Sequence, residues 1–343
     1  MKLSPEALPI AIPARVCALF PGALGDFICF LPELRRLVQN SRLDLFARSE
    51  YADLVPAAIK VRSSECPEIA KLFVEGGGEE RGLRQFFSPY QIIYSWMGSG
   101  LAVFVRELRR VAGDRARIFP FRPIDGSQHQ IDHYLSCMGG DAHARTAADI
   151  PLVPQALTWC DEFARLHQLS GKPVLVVAPG SGAPEKNWPV GSFRQVAHWW
   201  QREKQGKVLT LIGPVEEERG GVEALENETL VLRRLTLAQT AAVLSRCQLY
   251  LGNDSGTTHL AAAVGAPTVA LFGPSDIVQW APRGKSVTVI SLNVECSPCT
   301  NSSMKSCWHR KCLATLTADT VISRLEHLTP LGTLTRWGVG IRV

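Results

Sequence analysis

The run from Leu249 to Gly265 carries the residue pattern best suited to holding an anion. Its apolar start predicts a strand, and its small residues predict a helix that begins directly after Asp254 and Ser255. The first amides of a helix have no partner within it and lie at the positive end of its dipole, so they bind phosphate without a basic side chain. Gly256 lets a ligand approach the backbone, and His259 points from the first turn toward the same spot. The alternative is that Asp254 or Ser255 only caps the helix.

A second candidate anion site is the loop after the predicted strand 173–178. Ser181 and Gly182 offer backbone amides there, and Lys186 offers a point charge for an oxyanion. The third glycine of a dinucleotide-binding fingerprint is absent from this loop, and no P-loop pattern occurs anywhere in the chain. The alternative is an ordinary loop with an exposed lysine.

Two carboxylates stand where a predicted strand passes into a predicted helix. Asp26 follows the strand at 15–20 and either caps the next helix or acts as a general base. Glu216 follows the strand at 208–212. It either binds ribose hydroxyls or belongs to a solvated helix start.

Four of the ten cysteines are clustered, at Cys296, Cys299, Cys307 and Cys312. The spacing C-x2-C-x7-C-x4-C allows four thiolates to complete a tetrahedral structural site for zinc or iron, in which His309 could replace one thiol. Such a site would hold a loop in place. Free packed thiols are the next alternative, and disulfides come last because we expect a reducing compartment.

These residues need a scaffold, and short apolar runs that alternate with amphipathic stretches predict α/β units on parallel sheets. A polar stretch from Gly139 to Pro154 predicts a boundary between a first domain, 1–150, and a second, 151–343. We expect two facing, doubly wound, Rossmann-like domains with ligands at the carboxyl ends of their strands. The predicted strands are 15–20, 43–47, 91–95, 173–178, 208–212, 230–232, 249–251, 268–272 and 286–290; the main predicted helices are 26–39, 190–204, 237–245, 257–264 and 317–327.

Composition and charge exclude several classes of protein. The 343 residues are 46% hydrophobic and 20% charged, which rules out a disordered chain, collagen and a coiled coil. The formal net charge of +5 is too mild for a nucleic-acid-binding protein. It fits an anionic ligand or contact with an anionic membrane face.

The chain also lacks the patterns of export and membrane insertion. No run reaches the roughly 20 apolar residues of a membrane span. Residues 1–13, with one lysine and three prolines, make a poor signal peptide. We therefore expect a cytoplasmic protein, with peripheral contact to the inner membrane left open. Six arginines between Arg106 and Arg122 form either a solvated helix face or a surface for a phosphate-rich or membrane-bound acceptor.

Taken in order, the motifs resemble glycosyltransferase family nine, whose best-known members are the ADP-heptose:lipopolysaccharide heptosyltransferases. The resemblance covers about residues 15–325. Its motifs are Gly25-Asp26 before a helix, Pro-Gly-Ser-Gly with Lys186-x-Trp-Pro, Asp254-Ser-Gly-x-x-His259, and the run from Gly265 to Asp276.

The resemblance implies a glycosyltransferase B fold with an inverting, metal-independent mechanism. It also assigns a general base toward the acceptor hydroxyl, a set of donor-diphosphate residues and a ribose contact. The general base would be Asp26, and the ribose contact would be Glu216. The donor-diphosphate residues would be Ser181, Gly182, Lys186, Asp254, Ser255, Gly256 and His259. The chain contains no Asp-x-Asp motif for a catalytic divalent ion, which favours charge stabilisation by amides and lysine.

The sequence thus predicts an enzyme that moves a heptose-like sugar from a nucleotide donor, ADP-linked by the resemblance, to a saccharide such as the lipopolysaccharide core. A protein hydroxyl is the alternative acceptor. A non-catalytic sugar-nucleotide-binding or scaffold protein and a nucleotide-sugar epimerase are the alternative functions. The joint presence of Asp26, Lys186 and Asp254 counts against the scaffold.

Overall fold

The computed structural model describes residues 13–124, 126, 128–140 and 146–328. Its contacts divide the chain into two compact units, each built from segments that are not contiguous in sequence. Unit one comprises the described residues up to Pro21, with Leu34–Ser49 and Pro56–Phe121; unit two comprises Gly22–Glu33, Glu50–Val55 and the described residues from Arg122 onward. The signal-peptide prediction falls, except for residue 13, outside the described residues, and the predicted boundary stretch is described only in part. The linear division at residue 150 stays a prediction.

Unit one contains a parallel sheet. Its strands are β1 (Ala14–Leu19), β2 (Ser41–Ala47), β3 (Ile59–Ser63), β4 (Ile92–Ser95) and β5 (Ala116–Ile118). They pair in the order β3-β2-β1-β4-β5. The predictions of the central strands β1, β2 and β4 are confirmed. The edge strands β3 and β5 were not predicted, because short runs interrupted by lysine or arginine lack a clear apolar pattern.

The first helices connect and follow these strands. They are α1 (Leu24–Val38), α2 (Pro67–Lys71), α3 (Arg81–Phe87), α4 (Ala102–Ala112) and α5 (Gln130–Cys137), with short 3₁₀ helices at Ser49–Leu54, Gly77–Glu79 and Gly113–Arg115. The division between the two units falls inside α1, just after Glu33. Pro32 precedes that point and has no N–H to donate to the carbonyl of Ile28, so one hydrogen bond of the helix is missing there.

Unit two contains a second parallel sheet. Its strands are β6 (Val174–Ala178), β7 (Lys207–Ile212), β8 (Leu230–Arg233), β9 (Leu249–Asn253), β10 (Thr268–Leu271) and β11 (Val287–Ile290), all of them predicted. They pair in the order β11-β10-β9-β6-β7-β8. The strand order reverses between β6 and β9, which is where doubly wound sheets bind ligands.

The later helices belong to unit two, as does α5. They are α6 (Pro154–Leu166), α7 (Val190–Glu203), α8 (Pro214–Arg219), α9 (Glu223–Glu226), α10 (Leu237–Arg246), α11 (Gly256–Ala263), α12 (Ile277–Trp280), α13 (Asn301–Ser306), α14 (Lys311–Ala314) and α15 (Ala318–Leu328). A 3₁₀ helix spans Pro184–Lys186. The predicted helices 190–204, 237–245, 257–264 and 317–327 are confirmed as α7, α10, α11 and α15.

Each sheet has its own hydrophobic core. In unit one Cys17, Leu19 and Phe46 on the strands pack with Phe104 and Leu108 of α4. In unit two the buried cluster joins strand residues to two tryptophans and to α15, and includes Leu175, Leu251, Trp188, Trp200 and Val321. The central strands β6, β9 and β10 are buried along their whole length, as a parallel sheet with helices on both sides requires.

No helix in the described part of the chain is long and apolar enough to cross a membrane.

Within unit two, His129 links the start of α5 to the segment that contains Ala281. Its Nδ1 accepts the N–H of Ile131 at 3.1 Å, and its Nε2 donates to the carbonyl oxygen of Ala281 at 2.8 Å. Both bonds form together only in the neutral imidazole with its proton on Nε2. Burial lowers the pKa of His129 to about 4, with the Ala281 bond opposing this shift and nearby Arg283 adding to it.

The free energy of unfolding should therefore fall as the pH drops from about 6.5 to about 4, because in this range the unfolded chain binds a proton at His129 and the folded chain does not. The shift corresponds to about 3 kcal/mol. Asparagine caps helices but does not titrate, so the fall should be smaller by about that amount in His129→Asn. Urea unfolding across this pH range measures the difference. Equal falls in the two proteins would contradict a buried neutral imidazole.

Candidate active site

The N-terminus of α11 lies where the strand order of the second sheet reverses. Ser255 precedes the helix, but its side chain does not cap it. Its Oγ instead lies 2.9 Å from Oγ1 of Thr257 and 3.1 Å from Oγ1 of Thr258. The alternative that Ser255 caps the helix is therefore wrong. Its side chain does not compete with a ligand for the first backbone amides of α11.

Asp254 joins three loops that leave the carboxyl ends of neighbouring strands. Its carboxylate is only 7% exposed. Oδ2 accepts from Nζ of Lys186 at 2.7 Å and from Oγ of Ser275 at 2.5 Å. The three residues follow β9, β6 and β10. A buried carboxylate needs such compensation, so Asp254 fixes the position of the lysine instead of capping α11.

Asn253, the last residue of β9, ties down the loop that carries the lysine. Its Oδ1 accepts from the backbone N–H of Trp188 at 2.9 Å, and its Nδ2 donates to the carbonyl oxygen of Pro179 at 2.7 Å. The indole of Trp188 is fully buried and donates to the carbonyl oxygen of Leu316 at 2.8 Å. The loop is therefore anchored at both ends, which excludes the alternative of an ordinary exposed loop.

The side chains of Ser181 and Glu216 form hydrogen bonds with neighbouring parts of the chain. The Oγ of Ser181 lies 2.6 Å from Oδ1 of Asn187 and 2.7 Å from the carbonyl oxygen of Ala183, so it shapes its own loop. The Oε2 of Glu216 accepts from the N–H of Gly213 at 3.0 Å and closes the start of α8. Its carboxylate lies against Gly180, where an added Cβ would meet Cδ at 1.9 Å.

Asp26 lies in the first turn of α1 and is buried except for 8% of its surface. Its Oδ1 accepts a hydrogen bond from the guanidinium of Arg122 in an ion pair. The guanidinium carbon also lies 4.5 Å from the ring centre of Trp280, at cation–π distance. The predicted base is therefore held by an arginine that is itself held by an aromatic ring.

His259 lies beneath this site and is almost fully buried. Its Nδ1 is 3.8 Å from Sγ of Cys29. Burial lowers the pKa of His259, with Asp254 and Asp26 opposing the shift, so the imidazole is neutral at neutral pH.

One pocket of about 210 Å³ within unit two gathers most of the predicted residues. Asp26, Gly182, Lys186, Asp254, Ser255, Gly256 and His259 line it. Ser181 and Glu216 are not among its lining residues. Arg122 and Trp280 do line it, and neither was predicted as a site residue. Nothing in the local sequence separates Arg122 from the five arginines before it.

Several of the other arginines between Arg106 and Arg122 form ion pairs or hydrogen bonds within unit one. Arg106 pairs with Glu75 at 3.0 Å, and Arg110 pairs with the buried Glu107 at 3.0 Å. Arg115 donates to the carbonyl oxygen of Tyr90 at 2.6 Å. Arg106, Arg109 and Arg110 are nevertheless exposed on α4, as the interpretation of a solvated helix face predicts.

The four clustered cysteines meet around one small cavity of about 10 Å³, together with His309. Sγ of Cys307 lies 3.7 Å from Nδ1 of His309. Burial raises the pKa of the Cys299 and Cys312 thiols. The spacing pattern thus predicts correctly that these side chains converge.

A metal site is not confirmed by this convergence. In the parts of the chain that the structure describes, no group of three or more His, Cys, Asp or Glu side chains is arranged to hold one metal ion. All ten cysteines are free thiols, so the disulfide alternative is wrong.

The segment that carries the four cysteines, residues 296–312 and here called the cysteine segment, also contacts the loops that form the pocket. Arg310 donates to the carbonyl oxygen of Pro184 at 3.1 Å, and the N–H of Cys299 donates to that of Pro274 at 2.8 Å. These contacts lie next to Lys186 and Ser275, so the cysteine segment braces two of the three loops that meet at Asp254.

A family model described as glycosyltransferase family 9 (heptosyltransferase) matches residues 125–309. Lipopolysaccharide heptosyltransferase 1 of Pseudomonas aeruginosa is 34% identical over 131 residues, which cover 38% of this chain and 37% of that protein. Lipooligosaccharide heptosyltransferase 2 of Campylobacter jejuni is 28% identical over 169 residues, covering 46% and 52%. The chain thus spans between about a third and a half of the length of these two relatives. The Haemophilus influenzae lipooligosaccharide heptosyltransferase 2 is 26% identical over 318 residues, covering 84% and 83%.

Solved structures share the fold. A glycosyl transferase family 9 protein from Veillonella parvula has a TM-score of 0.71 at 21% identity, over 92% of this chain and 97% of that one. The E. coli ADP-heptose lps heptosyltransferase II has a TM-score of 0.65 at 18% identity, over 92% and 98%. The iron-containing dodecameric glycosyltransferase TibC of enterotoxigenic E. coli has a TM-score of 0.61 at 16% identity, over 94% and 80%. The predicted fold class, two doubly wound α/β domains of the glycosyltransferase B type, is confirmed.

The N-termini of α1 and α11 touch at two glycines, and this contact should be sensitive to a single methyl group. An alanine Cβ at Gly256 would lie 2.7 Å from Cβ of Leu24 and 3.0 Å from the backbone nitrogen of Gly25. Neither atom is the far end of a flexible side chain, so Gly256→Ala should lower the free energy of unfolding by about 1–3 kcal/mol. Urea unfolding measures this loss.

The matched control is Gly191→Ala, in the first turn of α7, where an added Cβ meets nothing within 4 Å. It should leave stability unchanged or raise it by about 0.5 kcal/mol. Equal stability of the two variants would mean that the helix ends are not in contact.

Proposed function

Because the chain belongs to glycosyltransferase family 9, we propose that it is an inverting glycosyltransferase that transfers a heptose-like sugar from an ADP-linked donor. The acceptor is a hydroxyl of a saccharide such as the lipopolysaccharide core. One observation carries the proposal: a single pocket brings together the start of α11, the ammonium of Lys186 and the carboxylate of Asp26. The names of the matched relatives support the sugar and the acceptor, and that of the E. coli structure supports the ADP-linked donor.

The donor diphosphate binds at the start of α11. The helix dipole, the amides of Ser255 and Gly256 and the loop amide of Gly182 face the anion, and Lys186 supplies a positive charge held in place by Asp254. Negative charge develops on the diphosphate as the sugar leaves, and these groups are in position before the reaction begins. Ser181 acts indirectly by shaping its loop, and Glu216 meets the ribose through Oε1, since Oε2 is taken up by Gly213.

Asp26 acts as the general base. The acceptor oxygen attacks the anomeric carbon from the face opposite the diphosphate, and the bond from that carbon to the diphosphate oxygen breaks. The acceptor proton passes to the Asp26 carboxylate, and ADP leaves with the bonding electron pair. Attack from the opposite face inverts the configuration of the sugar, and no step needs a metal ion.

The cytoplasm is the proposed site of action, with peripheral contact to the inner membrane. The net charge of +5 supports contact with an anionic surface, and the nucleotide donor is a soluble metabolite. A protein hydroxyl remains the alternative acceptor, and acceptors of both kinds belong in the assay.

Two substitutions separate the roles of the two charged residues. Asp26→Asn removes the base and should lower kcat by about 10²–10⁴-fold while ADP binding persists. Lys186→Ala removes the charge at the diphosphate and should weaken ADP binding by about 10-fold or more. Calorimetric titration with ADP and transfer assays with ADP-heptose measure the two effects.

Chelation provides the control for a catalytic metal: EDTA should leave the rate of transfer unchanged in protein whose metal content at the cysteines is shown by metal analysis to be unaltered. Near-wild-type turnover of Asp26→Asn would remove this residue from the role of base. Unchanged ADP affinity of Lys186→Ala would place the diphosphate elsewhere. Titration with GDP and UDP beside ADP tests the donor nucleotide.

We propose in addition that the cysteine cavity takes up a structural zinc or iron ion. Four thiols and one imidazole around one cavity are a donor set that both metals accept. Side-chain rotation would have to bring three or four of them to about 2.3 Å from the ion. TibC, which shares the fold, is described as an iron-containing protein.

Metal analysis of protein purified without chelator should find about one equivalent of zinc or iron per chain, and Cys299→Ser should lose it. Cys66→Ser is the matched control, since Cys66 is also partly exposed but lies before α2, far along the chain from the cluster. Its metal content should equal that of the wild type. A wild-type content well below one equivalent would contradict the site.

A further inference from the structure

Each of the two carboxylates that line the pocket is held by one of its two cations. Lys186 is paired with Asp254 at 2.7 Å, and Arg122 is paired with Asp26. His259, the remaining titratable group among the lining residues, is neutral because it is buried. An entering diphosphate therefore meets cations that are already paired, and it must either share a cation with its carboxylate or draw that cation away.

The two cations differ in how firmly they are placed. The carboxylate of Asp254 is shared with the hydroxyl of Ser275, and the Lys186 side chain is 28% exposed. The Arg122 side chain is 42% exposed, and its guanidinium carbon lies 4.5 Å from the ring centre of Trp280. A guanidinium carries five donors in a planar fork, which matches phosphate oxygens in pairs. Arg122 is thus the more exposed of the two cations, and its planar fork has the donor geometry better suited to a diphosphate.

We infer that Arg122 holds the Asp26 carboxylate until the donor binds and then becomes a ligand of the donor diphosphate. With the pocket empty of donor, the guanidinium holds Oδ1 of Asp26. When a nucleoside diphosphate binds, the guanidinium moves to the diphosphate, and Oδ1 becomes available to the acceptor hydroxyl. The inference rests on the proposed function, because it needs a diphosphate donor and Asp26 as the base.

This exchange has a physical basis in charge and geometry. A guanidinium that donates to a carboxylate oxygen occupies one of its lone pairs and stabilises its negative charge, so the oxygen takes up a hydroxyl proton less readily. The diphosphate carries more negative charge than the carboxylate and binds the planar fork through two oxygens, so it competes for Arg122. Trp280 keeps the guanidinium at the edge of the pocket, within reach of both anions. Donor binding would thus activate the base.

A double-mutant cycle on ADP affinity tests the exchange. If ADP binding breaks the ion pair, Asp26→Asn frees Arg122 beforehand and should tighten ADP binding by about 5–10-fold when Arg122 is present. In the Arg122→Gln background the same substitution should change the affinity by about 2-fold or less. Simple repulsion between Asp26 and the diphosphate would act equally in both backgrounds, so only a broken pair yields the difference. Calorimetric titration of the four proteins with ADP gives all four affinities.

Two further variants keep the test independent of folding defects. Arg122→Met preserves the apolar stem without charge and should reproduce the Arg122→Gln result, with each variant checked by thermal unfolding. Arg122→Lys restores a cation and should recover part of the difference. The control pair is Arg194 and Glu228 on the surface of unit two, joined at 2.6 Å, whose substitution by glutamine should leave ADP affinity unchanged.

The outcomes separate the two proposals. Equal effects of Asp26→Asn in the wild-type and Arg122→Gln backgrounds would overturn the exchange and leave the glycosyltransferase proposal standing; that result would fit an arginine that serves the acceptor or only orients the base. Failure of the wild type to bind ADP would overturn the donor assignment and the exchange together.

Discussion

The buried carboxylate of Asp254 is the constraint on which the arrangement of the pocket depends. A carboxylate at 7% exposure is tolerated only with charged or hydrogen-bonding partners, and Asp254 takes one from each neighbouring loop. The preceding residue, Asn253, adds two hydrogen bonds to the loop that carries Lys186. Two consecutive side chains at the end of β9 therefore set the positions of the loops after β6 and β10. A lysine that would otherwise sample many conformations is held at the start of a helix.

The same principle of compensated charge governs the other side of the pocket. Asp26 is buried at the start of α1 and is paired with Arg122, which rests on Trp280. Every carboxylate that lines the pocket is thus neutralised in the protein without a ligand. In the exchange that we infer, a bound diphosphate takes Arg122 from Asp26, while Lys186 keeps its pair with Asp254. Such exchanges couple the occupancy of one part of a site to the state of another.

The cysteine segment shows how a region outside the pocket can influence it. Cys299 and Arg310 bond to the backbone of the loops that carry Ser275 and Lys186. Gly273, beside one of these loops, packs so closely on Leu313 that an added Cβ would meet its Cγ at 2.4 Å. Interactions that hold the four cysteines in place therefore also stabilise the loops around Asp254.

Much of this protein follows from local sequence. The central strands of both sheets are continuous apolar runs, and helices such as α7 and α11 have clear boundaries, so both could be predicted. The turn that contains Asp254 and Gly256 and the clustered cysteines were also found, because the chemistry of these short segments depends on neighbours in sequence. Edge strands β3 and β5 were missed, since their stability comes from pairing with strands already formed and not from their own composition.

Only the tertiary structure decided which side chains act together. Arg122 looks in sequence like the arginines before it, but it is separated from Asp26 by 96 positions and meets it only in the folded chain. Ser181 and Glu216 stand at suitable places in their motifs, yet Oγ of Ser181 is bonded to Asn187, and Oε2 of Glu216 is bonded to Gly213, which leaves Oε1. Sequence determines residue type and local conformation, because these depend on neighbouring residues. Ion pairs form between groups brought together by packing, and so the partner of each charge is decided only when the chain folds.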